Sequence, residues 1–487
     1  MNLLLIGVGR HSKRIHLPHI AKHASEYSIK VKCVVDLLEN KNTVMDNISG
    51  AFGNNSNDIS FIFLETDQHR EIELRLSRII SDFKIDAAIV SCGPRWHSFY
   101  SKILLNAKVS VFCDKPISMC ANAANNTSDA KKIYSSYLDL CREYDSVKKY
   151  GVVFSCLSQR RCHPAMEYIK SNILDVYEKT KVPVNSITCN YSDGQFRMPE
   201  EIANERYHGY TEGIGMCSHS GYHFFDICHS YIEAMPAFNY DEIEAYSSFI
   251  YPRDYFEQIG VDRHSRILPH YEECYKKTQR ELNHACDLHG EIDAHTSFLL
   301  KRSGKRVCKM NISLLHSGFS ARDWLKSKED LYKGNGRLRH ETHIINQGPM
   351  QTLYYTSYQS DQIGNADLEN SDSIGGELHS EVAVFRNPIV SAGNQTSYHL
   401  KSFGKEMDVG AGGYSRGHQE NARAISFLEF LDACSGKIPI SELRTDLKKQ
   451  EGANLLMSLA YQSAAQQQSN MNPVVNFKKR ENSNGSI

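Results

Sequence analysis

Two things are missing from this chain of 487 residues: a charge excess and a long apolar run. Lysine and arginine number 56 against 57 aspartates and glutamates, giving a formal net charge of −1 and a pI of about 7.1. No whole-protein field therefore draws the chain to nucleic acid or to an acidic membrane, and a small-molecule partner is expected. No stretch approaches the roughly 20 apolar residues that cross a bilayer. The N-terminal run Leu3-Leu4-Leu5-Ile6 enters a glycine turn and lacks the basic segment and cleavage site of a signal peptide, so export is not expected. The 14 cysteines are scattered. Cys33, Cys113, Cys156 and Cys189 fall inside strand-like runs, where a reduced thiol serves as a small hydrophobe, which fits a cytoplasmic protein.

The length exceeds what one hydrophobic core usually organises, and 41% hydrophobic residues suffice to fill two. Residues 1–150 alternate apolar runs with helical patterns, the mark of a doubly wound parallel sheet. Strands are expected at 2–6, 31–35, 59–64, 86–91, 109–113 and 151–155, and helices near 12–25, 69–83, 95–107 and 126–147. Asn40–Asp58, rich in Asn, Ser and Gly, reads as an extended surface loop. From 151 to 477 the pattern changes to alternating segments at 185–191, 242–250, 293–301, 306–314, 339–346 and 350–358, with helices near 164–175, 416–436 and 446–468. An α+β domain with a large, mostly antiparallel sheet is expected there. Residues 253–291 and 359–380 read as insertions, the second a polar loop, and 478–487 as a disordered tail.

Two turns carry the chemistry. Gly7-Val8-Gly9-Arg10-His11-Ser12 follows the first strand as a dinucleotide-binding turn with serine in the third glycine place. Gly7 permits the tight backbone, Gly9 lets a pyrophosphate approach, and the next helix turns its amides toward negative charge. Asp36 ends the second strand, where a carboxylate binds ribose hydroxyls and repels a 2′-phosphate; NAD is favoured over NADP, with Lys13, Arg14 and Lys41 as the opposing charges. After the fifth strand comes Asp114-Lys115-Pro116, which puts a lysine in the crevice where such sheets bind ligands. Downstream lie Gly213-Ile214-Gly215, His219, Gly221, His223 and Asp226.

In this order and spacing the motifs resemble the glucose-fructose oxidoreductase and inositol dehydrogenase family (Gfo/Idh/MocA), over nearly the whole chain and most weakly from 253 to 410. The family's E-K-P stands here as Asp114-Lys115-Pro116, and its G-G-G…D-x-G-x-H-x-x-D runs from Gly213 to Asp226. The resemblance implies a Rossmann domain followed by an α+β domain, and an NAD-dependent oxidoreductase that interconverts a hydroxyl and a ketone on a sugar, nucleotide-sugar or cyclitol. It implies that Lys115 contacts the reacting hydroxyl, that His223 is the acid/base, that Asp226 binds a substrate hydroxyl and that Arg161 helps shape the pocket. Ser91, Pro94 and His97 match a P-x-x-H loop edging the nicotinamide, and a cis Lys115–Pro116 bond is expected. A homo-oligomer formed through the C-terminal sheet is also implied.

The chain departs from the family four residues before His223. Members have an aspartate there that orients the imidazole; here the residue is His219. That departure keeps open a second reading, a catalytically silent, NAD-binding regulator or scaffold on the same fold. His219, His223, Asp226 and His229 also read as H-x-x-x-H-x-x-D-x-x-H, a spacing that could ligate zinc, but no metal is expected because the glycine turn and Lys115 already account for the site. His270, Cys274, His284, Cys286 and His289 lack finger spacing and are expected in a solvated insertion.

Overall fold

The computed structural model describes residues 1–65, 68–204, 209–268, 271, 277–322, 338–360, 376, 379–391, 397–404 and 418–479. The chain divides into two compact units, each assembled from separated segments. The first comprises Met1–Met119, Ile133–His163 and Ala411–Asn454; the second comprises Cys120–Lys132, Pro164–Gly410 and Leu455–Ile487.

The first unit is built on six parallel strands: β1 (Asn2–Ile6), β2 (Lys30–Leu37), β3 (Ser60–Leu64), β4 (Ala87–Val90), β5 (Ser110–Cys113) and β6 (Phe154–Cys156). Leu3–Ile6, Ala87–Val90 and Val111–Cys113 are buried without alternation, as strands covered on both faces must be. The order β3-β2-β1-β4-β5-β6 reverses direction between β1 and β4. Ligands of such sheets bind beyond the strand C-termini at that reversal. The helix His418–Cys434, over 300 residues away in sequence, closes this unit: Phe427 and Phe430 set their rings 5.4 and 5.2 Å from Phe112 on β5.

Two expectations are corrected here. Asn40–Asp58 is a helix, Lys41–Phe52, followed by a 3-10 segment, Gly53–Asp58. Its polar composition hid two apolar residues one turn apart, Val44 and Ile48, which are fully buried in the core, while Asn47 donates to the Val8 carbonyl at 3.1 Å. The helix expected near 12–25 is broken into Arg10–Arg14 and His16–His23.

Among the described residues the second unit holds a nine-stranded sheet. Its strands are β7 (Ser186–Gly194), β8 (Glu242–Ile250), β9 (Asp293–Arg302), β10 (Lys305–Leu315), β11 (Leu338–Gln347), β12 (Gln351–Ser360), β13 (Ser380–Arg386), β14 (Tyr398–Ser402) and β15 (Val475–Lys478). The order is β14-β13-β12-β11-β7-β10-β9-β8-β15, parallel at β7–β10 and antiparallel elsewhere. Period-two alternation buries Met310, Ile312 and Leu314 of β10 and Phe298 and Leu300 of β9 on one face. The helix Tyr222–Glu233 lies on that face, with Phe225 edge-on to Phe298.

The segment expected as a solvated insertion carries helices Pro252–Ile259, Val261–Ile267 and Gln279–Ala285. It is not wholly solvated. Tyr255, Phe256, Leu282 and Cys286 build a small core with Ile202 and Ile292, and His289 is buried against the Ala203 carbonyl; His284 is exposed. His270 and Cys274, most of the loop expected at 359–380 and most of the expected tail lie outside the described residues.

Candidate functional site: a dinucleotide cradle and a histidine helix

At the C-terminal edge of the parallel sheet, Gly7 adopts φ +86°, and a Cβ there would meet the Ser91 carbonyl oxygen at 2.5 Å. Only glycine fits. A Cβ on Gly9 would meet nothing within 4 Å, so open space lies over the turn where a diphosphate would approach. Ser12 replaces the third glycine without disrupting the turn, because its buried hydroxyl donates to the Gly7 carbonyl at 2.9 Å. Asp36 braces the turn: one oxygen accepts the Val8 amide at 2.7 Å, the other the Leu37 amide at 2.7 Å and the Asn40 side chain at 2.8 Å. A carboxylate has about four acceptor positions, so Asp36 retains capacity for a ligand hydroxyl.

β4 and β5 deliver the next layer. Asp114 is buried; His16 Nε2 meets one of its oxygens at 2.8 Å and the Ser91 hydroxyl donates to the other at 2.6 Å, with His11 Nε2 3.7 Å away. Burial pushes the Asp114 carboxyl up, but the His11 and His16 imidazoles and these bonds outweigh it and hold it well below the usual carboxylate range. His11, His16 and Asp114 are the one group of three His, Cys, Asp or Glu side chains among the described residues whose ligand atoms lie mutually within 4.8 Å. With both carboxylate oxygens already hydrogen-bonded, the trio reads as a bracing network.

Lys115 follows, partly buried, joined to Pro116 by the expected cis bond. Burial pulls its ammonium down to about 8, against the opposing pull of Asp114 and with the help of Arg423 and Arg160. His97 is 1% exposed and spans the Pro116 carbonyl (2.7 Å) and the Cys92 carbonyl (3.0 Å). It thereby ties the loop after β4, where Pro94 begins a 3-10 turn, to the lysine turn after β5. Arg161 lies in the buried turn Gln159–Cys162 and donates to the Lys449 carbonyl at 2.6 Å. The first unit thus gathers Gly7, Gly9, Arg10, His11, Ser12, Asp36, Ser91, Asp114 and Lys115 around one strand edge.

In the second unit Gly213 (φ +69°) and Gly215 thread through a tight passage; a Cβ on Gly215 would meet the Glu291 carbonyl oxygen at 1.9 Å. Cys217–Gly221 is a π-helical turn that runs directly into Tyr222–Glu233, the helix carrying His223 and Asp226. Such turns recur at functional sites. Both side chains are buried, Asp226 completely. His219 sits in the π turn, its Nδ1 3.1 Å from the Ser220 hydroxyl and its ring 6.3 Å from that of His316. His229 is engaged elsewhere, with Glu233 at 3.0 Å and the Tyr240 hydroxyl at 2.8 Å.

Sequence reasoning missed two groups here. His316 bonds the Tyr210 hydroxyl and lies 3.9 Å from the buried carboxylate of Asp193, so a Tyr–His–Asp array stands behind His219. Glu291 is fully buried beneath the π turn, accepting the Cys217 amide and the Tyr461 hydroxyl, each at 2.8 Å. Burial raises its carboxyl to about 7. The adjoining Gly290, which has no room for a Cβ against Ile214, was the local signal.

Residues 1–136 match the Gfo/Idh/MocA family model, described as an oxidoreductase family with an NAD-binding Rossmann fold. No curated protein matches the chain. Among solved structures, an oxidoreductase from Agrobacterium radiobacter in complex with NAD+, L-tartaric acid and magnesium has a TM-score of 0.54 at 12% identity, covering 98% of each chain. Levoglucosan dehydrogenase in complex with NADH and levoglucosan has a TM-score of 0.53 at 13% identity, covering 99% of this chain and 100% of its own. A myo-inositol dehydrogenase from Corynebacterium glutamicum has a TM-score of 0.50 at 11% identity, covering 98% of this chain and 99% of its own. At these identities the likeness establishes the fold.

Proposed function

We propose, from the match of residues 1–136 to the NAD-binding Rossmann model of the Gfo/Idh/MocA oxidoreductases, that the protein is an NAD-dependent dehydrogenase interconverting a hydroxyl and a ketone on a sugar, nucleotide-sugar or cyclitol. The observation that carries the reading is Lys115, partly buried at the strand edge beside the glycine turn, with its ammonium drawn down to about 8 by burial.

The open space over Gly9 and the spare acceptor capacity of Asp36 suit a dinucleotide, with the diphosphate at the turn and the adenosine ribose at Asp36. NAD, when bound, supplies the hydride acceptor. The protein supplies the rest. Lys115 Nζ donates to the substrate oxygen and steadies the negative charge that develops there, the kind of stabilisation that is strongest away from water. A ring nitrogen of His223 takes the hydroxyl proton during oxidation and returns it during reduction. Asp226 accepts a neighbouring substrate hydroxyl. Asp114 and His97 act as positioning residues that fix the lysine turn, and Arg161 shapes the same edge.

An aspartate on Asp36's strand end repels a 2′-phosphate, which supports NAD over NADP. The assembly we propose is a homo-oligomer formed through the open face of the nine-stranded sheet, where Tyr354, Phe385, Tyr398 and Leu400 are exposed on neighbouring strands. Light scattering on the purified protein checks it, and a monomer at all concentrations overturns it.

The test of the activity is turnover on a broad polyol panel together with the redox state of copurified cofactor. Nicotinamide reduction coupled to ketone formation on any member supports it. His219 favours a second reading, a silent NAD-binding regulator, which predicts tight NAD binding and no turnover on the entire panel.

A further inference from the structure

A helix leaves its first amides without partners in its own turns. At the head of the helix that carries His223 and Asp226, four consecutive amides, Gly215 to Ser218, end on two residues from distant parts of the chain. The Glu291 main-chain carbonyl accepts the Met216 amide at 3.1 Å, and its carboxyl Oε1 accepts the Cys217 amide at 2.8 Å. The Tyr461 hydroxyl accepts the Gly215 amide at 3.3 Å and the Ser218 amide at 3.1 Å, and donates to the same Oε1 at 2.8 Å. Glu291 stands two residues before β9, and Tyr461 on the helix Glu451–Gln468. Both are fully buried.

Close packing leaves this clamp no slack. A Cβ on Gly215 would meet the Glu291 carbonyl oxygen at 1.9 Å, and one on Gly290 would meet the Ile214 carbonyl carbon at 2.1 Å, so the two segments cross in backbone contact. The π turn Cys217–Gly221 passes directly into Tyr222–Glu233, and His223 is the second residue of that helix. Further along, the helix is held by its own packing, Phe225 against Phe298. What Glu291 and Tyr461 fix is therefore the head of the helix, where His219 and His223 lie. A buried acid is costly, and a leucine would fill similar space without that cost. The acceptor that Glu291 offers to Cys217 and Tyr461 accounts for a carboxyl at this place.

We propose that Glu291 and Tyr461 are positioning residues for the reaction: by holding the amides of residues 215–218 they set the π turn, and through it the placement of His219 and His223. The effect on turnover rests on the dehydrogenase reading above; the effect on the turn does not.

The experiment uses the full chain loaded with NAD, and reads steady-state kinetics on an active member of the polyol panel together with amide hydrogen exchange by mass spectrometry. Glu291→Leu deletes the acceptor, Glu291→Gln keeps it, and Tyr461→Phe removes one hydroxyl while keeping the ring. We expect Glu291→Leu and Tyr461→Phe to lower kcat about 10-fold or more with KM changed less than about 3-fold, because Asp226 lies a turn further into the packed helix. Peptides covering residues 215–218 should exchange at least 5-fold faster in both, with the remainder of Tyr222–Glu233 protected as in the wild type. Glu291→Gln should restore both readouts. The double variant Glu291→Leu with Tyr461→Phe should lose little more than the worse single one, since either change opens the same clamp. Where Glu291→Leu does not fold, Tyr461→Phe carries the test. Wild-type kcat in the folded acceptor-deleted variants, or unchanged exchange at 215–218, would overturn the proposal, as would a Glu291→Gln no better than Glu291→Leu. A wild-type protein that turns over no polyol sinks the dehydrogenase reading alone, and the clamp then stands or falls on the exchange pattern.

Discussion

The Tyr461 hydroxyl donates to the Glu291 carboxylate at 2.8 Å while accepting the Ser218 amide at 3.1 Å, so one tyrosine ties a buried acid to the π turn that precedes His223. Glu291 is buried, and its carboxyl is raised to about 7 from an ordinary value near 4.5. Below the ordinary value the group is protonated folded or unfolded, and nothing is lost. Between it and about 7 the folded state holds a proton that the unfolded chain releases, so stability falls as pH rises, and the full cost, about 3 kcal/mol, stands above 7.

Glu291→Gln removes the titration and keeps an acceptor oxygen for Cys217 and Tyr461. Its melting temperature relative to wild type should be more favourable at pH 8 than at pH 5. Scanning calorimetry at the two pH values checks this; a difference independent of pH would mean that Glu291 does not titrate on folding.

Asp36 carries two duties that one substitution separates. Asp36→Ala deletes the acceptor for the Val8 amide as well as the proposed ribose contact. NAD affinity should fall, NADP affinity should fall less, and the gap between them in calorimetric titration should narrow. An unchanged ratio would place the discrimination elsewhere.

Much of the first unit was legible because its strands are short, uninterrupted apolar runs, and the helix His69–Phe83 falls at the expected residues. What failed was local polarity read as absence of structure. Ile48 in the misread segment is 0% exposed, so Ile48→Ala should cost about 2–5 kcal/mol, as truncations in a packed core do. A loop would lose almost nothing, and chemical denaturation separates the two. The site divided along similar lines. Gly7, Asp36 and Lys115 announce themselves by position after strands, whereas the charge of Arg423 acts on Lys115 from some 300 residues away in sequence, and the π turn at Cys217–Gly221 leaves no mark in a pattern read at helical spacing.

Lys115 sets the alkaline side of the rate profile. As the ammonium donor to the developing alkoxide it loses its charge as pH rises through about 8, so turnover should fall there. Lys115→Met should reduce turnover by roughly 100-fold or more, the scale of a lost positioned group, while NAD affinity changes far less. Lys115→Arg stays charged throughout, and its residual activity should lack the alkaline limb. A wild-type profile flat from pH 7 to 10 would remove Lys115 from this role.

His219 is the last test, because the sequence resemblance implies a carboxylate at its position. In the structure its ring faces His316, which is itself bound to Tyr210 and lies 3.9 Å from Asp193. A carboxylate is therefore present behind the imidazole, one ring further back than in an Asp–His pair. If that array substitutes for the missing aspartate, His219→Asp should preserve or raise turnover, because the new carboxylate would orient and charge His223 directly. His219→Ala should lower turnover with little change in KM, and Asp193→Asn should repeat that loss, since both remove links of the same array. Steady-state kinetics of the three variants decides the matter: turnover unaffected by His219→Ala would leave the π-turn histidine outside the reaction, and loss of activity in His219→Asp alone would show that an imidazole is required at that position.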